Sequence, residues 1–156
     1  MYVGRAVAVG RNPDGRASLL YRVSSRSFPN RMATVGAGLG MIVPKEGFER
    51  DIYKNPYIAY RCLRVEDDVA VVTNGSQTDP IIEKVQAGAS IRDAMTSVLL
   101  ALEFEKDQYD TPRIAAAVRQ GAEKGFLGVV RRDGIEVREL PLETGRALYI
   151  GTYEIE

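Results

Sequence analysis

Residues 90–102 read SIRDAMTSVLLAL. From Ile91, apolar residues recur at Ala94, Met95, Val98, Leu99 and Leu102, which is the spacing of one face of an amphipathic helix. Ser90 stands before the stripe with Asp93 three residues on, a capping-box-like start. A shorter helix is expected over 80–86 (PIIEKVQ), opening with proline in its first turn and ending before AGAS. Leu100 and Phe104 fall opposite the main stripe, so the end of the long helix is expected to be covered on both sides.

On both sides of this helical pair the chain reads as short strands. Six precede it, at 2–9, 17–23, 32–36, 39–43, 57–65 and 68–73, and four follow, at 113–119, 125–131, 135–140 and 146–153. Turn chemistry separates them: NPDG at 12–15, EDD at 66–68, and RDG at 132–134, where Asp-Gly suits a tight primed hairpin turn. Ten strands and one helical pair predict an α+β chain, with two packed sheets and helices on at least one outer face. Residues 44–56 (PKEGFERDIYKNP) read as a polar loop, long enough to suggest a functional role.

The chain has 156 residues, which suits one domain. Its 21 basic and 21 acidic residues cancel, so a bulk electrostatic footprint for nucleic acid is missing and any anion site must come from local clustering. The single cysteine, Cys62, excludes an internal disulfide, and its strand-like setting AYRCLRV predicts a buried small hydrophobe. The first residues, MYVGRAVAVG, do not read as a signal peptide, and the longest apolar stretch is far too short for a membrane span, so a cytoplasmic protein is expected. Histidine is absent, which excludes serine–histidine and cysteine–histidine mechanisms and histidine-dependent zinc sites. Any catalysis must rest on carboxylates, Tyr, Lys, Arg or backbone dipoles.

Four segments could carry chemistry. YRVSSRSFPNR at 21–31 gathers Arg22, Arg26 and Arg31 with Ser24, Ser25 and Ser27, a donor set suited to an oxyanion such as phosphate, or alternatively a solvated loop. TNGSQTDP at 73–80 leads from a strand into the short helix, with Asp79 as the expected cap and Pro80 in the first turn. EFEKDQYDTPR at 103–113 places Glu103 and Glu105 at the two borders of the helix stripe, and a solvated helix end is the plain alternative. YKNPYIAYR at 53–61 supplies three tyrosines and Lys54, with strand packing as the ordinary reading.

Taken together, MYVGR, YRVSSRSFPNR, VPKEGFERDIYKNPYIAYRCLR, VTNGSQTDPI and FEKDQYDTPRIAA closely resemble the archaeal IMP cyclohydrolase family, in matching order from Met1 to about Tyr153. The resemblance implies closure of the formamidoimidazole carboxamide ribonucleotide to inosine monophosphate with loss of water, the last step of de novo purine synthesis. It also implies the four-layer αββα sandwich of the N-terminal-nucleophile hydrolases. Tyr2 is too large for ordinary removal of the initiator methionine, so the fold would be shared and the nucleophile absent. Members of the family are longer, so a single domain over 1–156 with a shortened C-terminal part is expected.

No metal, cofactor or covalent intermediate is needed for this ring closure. On the resemblance, Glu105 is the expected proton acceptor, with Glu103 as the alternative carboxylate. Tyr60 would donate to the formyl oxygen or the leaving water, and Arg31 would stabilise charge there. Arg22, Ser24 and Arg26 would hold the phosphate and ribose, with Asn74 and Arg113 touching the carboxamide and nucleotide. The expected partner is a small purine nucleotide, with no nucleic acid or membrane, and the chain is expected to form a homo-oligomer. The competing readings are an amidohydrolase on the same fold and a nucleotide-binding protein without catalysis.

Overall fold

The computed structural model describes residues 4–153, so the first residues of the strand expected at 2–9 and the reading of Tyr2 lie outside the described residues. The strands are β1 (Ala6–Arg11), β2 (Ala17–Arg22), β3 (Arg31–Gly36), β4 (Leu39–Pro44), β5 (Tyr60–Glu66), β6 (Val69–Thr73), β7 (Arg113–Arg119), β8 (Lys124–Arg131), β9 (Gly134–Pro141) and β10 (Arg146–Gly151). Two helices, α1 (Thr78–Gln86) and α2 (Ile91–Leu102), lie between β6 and β7. One sheet has the order β10-β1-β2 and the other runs β3-β4-β5-β6-β7-β8-β9, all their strand pairings antiparallel.

Strand β7 shows why the layers stack. Its sequence RIAAAVR is buried from Arg113 through Val118 because both faces are covered. Ala115 and Ala117 join Val69, Val71, Ile81, Ile82, Met95 and Val98 in the core under the helices. Ile114, Ala116 and Val118 join Val7, Val9, Leu127 and Val129 in the core between the sheets. Small side chains at the centre let both neighbours approach closely. Two glycines of β8 do the same. A Cβ on Gly128 would stand 2.8 Å from the Met95 Cε of α2, and one on Gly125 would stand 2.6 Å from the Val9 Cγ2 of β1. Fully burying a side chain such as Ile81, Ile82, Met95 or Leu99 contributes about 1.5–3 kcal/mol.

The α+β architecture with two antiparallel sheets follows the sequence reading, and α2 begins as expected: the Ser90 hydroxyl accepts from the Asp93 amide at 3.1 Å. Cys62 is buried, also as expected. The described residues supply three of the four expected layers: both helices cover the same face of the large sheet, and no helix among them covers the outer face of β10-β1-β2. Leu20 and Tyr149 stay exposed on β2 and β10.

Leu100 and Leu102 are also exposed, so α2 is not enclosed at its end. The 132–134 hairpin forms with Arg132 and Asp133 in its loop, but neither has positive φ, so the turn is not of the primed type. That geometry occurs at Ala37 (φ 51°) and Gly38 (φ 73°), between β3 and β4. The 44–56 segment contains a 3-10 turn at Glu49–Tyr53, and β5 starts at Tyr60 because Asn55 first caps a turn, accepting from the Tyr57 amide at 2.8 Å. Helix α1 begins at Thr78, ahead of Pro80, and Asp79 does not cap it. Its carboxylate instead pairs with Arg61 at 2.9 Å and Arg64 at 3.2 Å on β5.

Candidate active site

A cleft of about 490 Å³ opens where the start of β1, the loop after β2, the 54–58 segment and the loop after α2 converge. Its size is that of a small-molecule site. Four basic side chains line it (Arg5, Arg31, Lys54, Lys106) against two acidic ones (Glu105, Asp107). Since Glu105 is consumed by Arg5, the remaining lining favours an anion.

The loop after α2 is built to present Glu105. Helix α2 ends at Glu103, whose φ is 58°, and the chain turns back. The Asp107 carboxylate then gathers the amides of Tyr109 and Thr111 at 3.1 and 3.0 Å and the Thr111 hydroxyl at 2.6 Å. The Glu105 amide donates to the Thr111 carbonyl at 2.8 Å, which closes the loop across its neck. Glu105 is thereby directed inward and is 1% exposed. Its carboxylate receives two hydrogen bonds from the Arg5 guanidinium, at 3.0 and 2.7 Å. Burial pushes the carboxyl above its ordinary range, while Arg5 and Arg113 pull it down.

Arg5 is fixed just as firmly. Its amide donates to the Thr152 hydroxyl at 3.1 Å, and Nη1 also reaches the Asn74 carbonyl at 2.9 Å. Gly4 beside it has φ 67°, and a Cβ there would lie 2.5 Å from the Thr152 Oγ1, so only glycine allows this close passage. The Gly4 carbonyl accepts from both the amide and the hydroxyl of Ser24, at 3.0 and 2.7 Å, which ties the serine loop to the same edge.

Tyr60 at the start of β5 is 8% exposed, and its hydroxyl pairs with that of Tyr21 on β2, the rings meeting edge to face at 6.3 Å. Burial raises both phenols above their ordinary range, and Arg5 and Arg31 oppose that rise. Arg31 is held by two carbonyls, of Phe28 and Ile58, each at 3.2 Å. Arg113 is buried beside Glu105, donating to the Gln77 Oε1 at 3.1 Å, with its Nε unpaired and its guanidinium 5.9 Å from the Tyr57 ring. Gly75 makes room for this cluster: a Cβ on it would stand 2.9 Å from the Arg113 Nη1 and 3.4 Å from the Glu105 Oε1.

The structure therefore brings together Glu105, Arg31 and Ser24 on the cleft wall, with Tyr60 and Arg113 in contact with the same charge cluster but off the lining. Arg22 and Arg26 are exposed and off the lining, because in β2 Arg22 alternates to the face opposite Tyr21. Asn74 is fully buried and serves the fold. Its Oδ1 accepts from the Ile114 amide at 2.9 Å and Gln77 at 2.7 Å, and its Nδ2 donates to the Pro112 carbonyl at 2.8 Å, so its side chain is not open to a ligand here. Glu103 is exposed and paired with Lys106 at 3.0 Å, away from the cleft lining.

Sequence reasoning missed Arg5 and Tyr21. Arg5 read only as a charge near the start of the chain. Tyr21 was findable, since Ala17, Leu19 and Tyr21 alternate on one apolar face of β2.

The model of the family described as IMP cyclohydrolase-like protein matches residues 2–156. A protein named IMP cyclohydrolase from Methanosphaera stadtmanae is 47% identical over 154 residues, covering 99% of this chain and 74% of the relative. A second of that name from Methanocella arvoryzae is 50% identical over 155 residues, covering 99% and 75%. A third, from Methanocaldococcus jannaschii, is 43% identical over 154 residues, covering 98% and 73%. Matched along nearly its whole length, the chain belongs to the IMP cyclohydrolase-like protein family.

Proposed function

We propose that this protein is an IMP cyclohydrolase, closing the formamidoimidazole carboxamide ribonucleotide to inosine monophosphate with release of water. The observation that carries the assignment to this cleft is Glu105, a buried carboxylate facing a cationic, nucleotide-sized cleft in a chain of that family. The reaction forms a bond from the carboxamide nitrogen to the formyl carbon and then expels the formyl oxygen as water. Both reacting groups sit on one substrate, so holding them at contact distance supplies part of the rate, up to about 7–11 kcal/mol in favourable systems.

In this reading Glu105 takes the proton from the attacking nitrogen, worth about 10²–10⁴-fold. Arg31, its guanidinium pinned by two carbonyls, faces the developing oxyanion, where a good donor contributes roughly 3 kcal/mol. Tyr60 delivers a proton to the same oxygen. Its hydroxyl is paired with Tyr21 and off the cleft lining in the free protein, and catalytic contacts of this kind commonly tighten only with substrate bound. Ser24 and the neighbouring hydroxyls hold the phosphate end together with Lys54. Arg22 and Arg26 add to the anion field from outside the wall, and Arg113 acts through Glu105 and Gln77. We read the three layers as part of the αββα arrangement, and the chain as a cytoplasmic homo-oligomer. No described helix is long and apolar enough to cross a membrane.

The test is turnover of the formylated precursor, followed by ultraviolet absorbance as inosine monophosphate forms. A protein that binds inosine monophosphate yet leaves the precursor unconverted would overturn the assignment.

A further inference from the structure

The mechanism above leaves Arg5 unused, although among the described residues it is the one cation that hydrogen-bonds Glu105 and it also acts on Tyr60. Its guanidinium donates to both Glu105 oxygens and to the Asn74 carbonyl. Glu105 is faced by Arg5, Arg113 and Asp107, and Tyr60 by Tyr21, Arg5 and Arg31. Arg5 is the only side chain of these groups that bonds the carboxylate, and it stands on β1's approach, remote in sequence from both partners.

We propose that Arg5 is a positioning residue of the cyclisation, holding Glu105 and Tyr60 as one buried acid–base pair whose total charge does not change during the reaction. This rests on the cyclohydrolase reading. At rest the set is one guanidinium, one carboxylate and one neutral phenol. When the carboxamide nitrogen bonds to the formyl carbon, its proton passes to Glu105 and the Tyr60 proton passes to the formyl oxygen. The set is then one guanidinium, one neutral carboxyl and one phenolate, with the same net charge. Loss of water reverses both transfers: Glu105 returns its proton to the departing hydroxyl, and the N–H of the former formamide nitrogen reprotonates Tyr60. Arg5 exchanges one anionic partner for the other, so the buried set never holds an unbalanced charge. Burial makes such an imbalance costly.

The experiment compares wild type, Arg5→Lys and Arg5→Gln as full chains, across the pH range in which each stays folded by circular dichroism. Removing the cation lets Glu105 hold its proton to higher pH, so Arg5→Gln should move the acidic limb of the kcat profile upward by about 1–3 pH units. Its kcat should fall about 10²-fold with little change in KM. Arg5→Lys keeps the charge but loses the two-pronged grip, so its limb returns to the wild-type position while kcat stays about 10-fold low. If Arg5→Gln does not fold, Arg5→Lys decides: wild-type kcat in that variant overturns the proposal. So does an unmoved limb in a folded Arg5→Gln, or a raised KM at unchanged kcat. A wild-type protein that forms no inosine monophosphate overturns the cyclohydrolase reading itself, an outcome distinct from all of these.

Discussion

Arg5 and Glu105, 100 residues apart in sequence, meet side by side through two hydrogen bonds of 3.0 and 2.7 Å, with side chains 11% and 1% exposed. Removing one partner of such a buried pair leaves an uncompensated charge, at a cost of about 3–5 kcal/mol. Glu105→Gln is expected to lower kcat about 10²–10⁴-fold with KM nearly constant. It should also lower the melting temperature by several degrees. Absorbance assays and thermal unfolding check the two effects separately, and a wild-type kcat would remove Glu105 from the chemistry.

The carboxyl of Glu105 lies above its ordinary range because burial outweighs the pull of Arg5 and Arg113. The native state therefore binds a proton that the unfolded chain has already released in the interval between the two values. The stability from this group is full below the unfolded value and lost as pH rises through the folded one. Urea midpoints measured against pH should show this slope in wild type and lose it in Glu105→Gln. The acidic limb of wild-type activity should likewise lie above the ordinary carboxylate range, and a limb at or below that range would contradict the assignment.

Tyr21 and Tyr60 share one hydroxyl contact but are not equivalent. Either hydroxyl can donate in that contact, and Arg5 and Arg31 favour both phenolates, but Tyr60 is the one placed here to deliver the proton. Tyr60→Phe should reduce kcat about 10²-fold. Tyr21→Phe, which removes only the partner hydroxyl, should reduce it less, with a stability loss of about 1 kcal/mol in each. Equal kcat values in the two variants would show that neither phenol acts alone.

The cleft cations separate binding from chemistry. Ser24→Ala and Lys54→Ala should raise KM with kcat nearly unchanged, the sign of uniform binding lost. Arg31→Ala should lower kcat as well. Arg22→Ala and Arg26→Ala should have smaller effects on KM than Lys54→Ala, since neither side chain lines the cleft. A larger KM effect at Arg22 or Arg26 would place the phosphate outside the wall defined here.

Gly75→Ala tests the packing behind the carboxylate. The added Cβ would press on the Gln77 Oε1 at 2.8 Å and the Arg113 Nη1 at 2.9 Å, both buried and already bonded to each other. The expected result is a loss of about 1–3 kcal/mol by denaturant unfolding, with reduced kcat. Full stability and turnover would mean that the cluster has room that this geometry denies.

Local pattern by itself determined much of this molecule. Hydrophobic period separated the α2 stripe from the strands around it, because a helix face repeats at 3.6 residues and a half-buried strand at 2. The absence of histidine restricted the chemistry to carboxylates, Tyr, Lys, Arg or backbone dipoles. The motif resemblance marked Glu105, Arg31 and Ser24, which the fold sets on one cleft wall. Tertiary structure alone decided the rest. Nothing in the spacing of Arg5 and Glu105 shows that β1 passes the loop after α2, since strand order is fixed by long-range pairing and not by neighbours in sequence. The resemblance marked Asn74 as a ligand contact, and only the fold shows that its side chain staples the end of β6 to β7. Asp79 read as a cap and instead pairs from α1 with two arginines of β5. A polar side chain announces its chemistry in the sequence, but its partner is chosen only when burial forces each donor and acceptor to be satisfied.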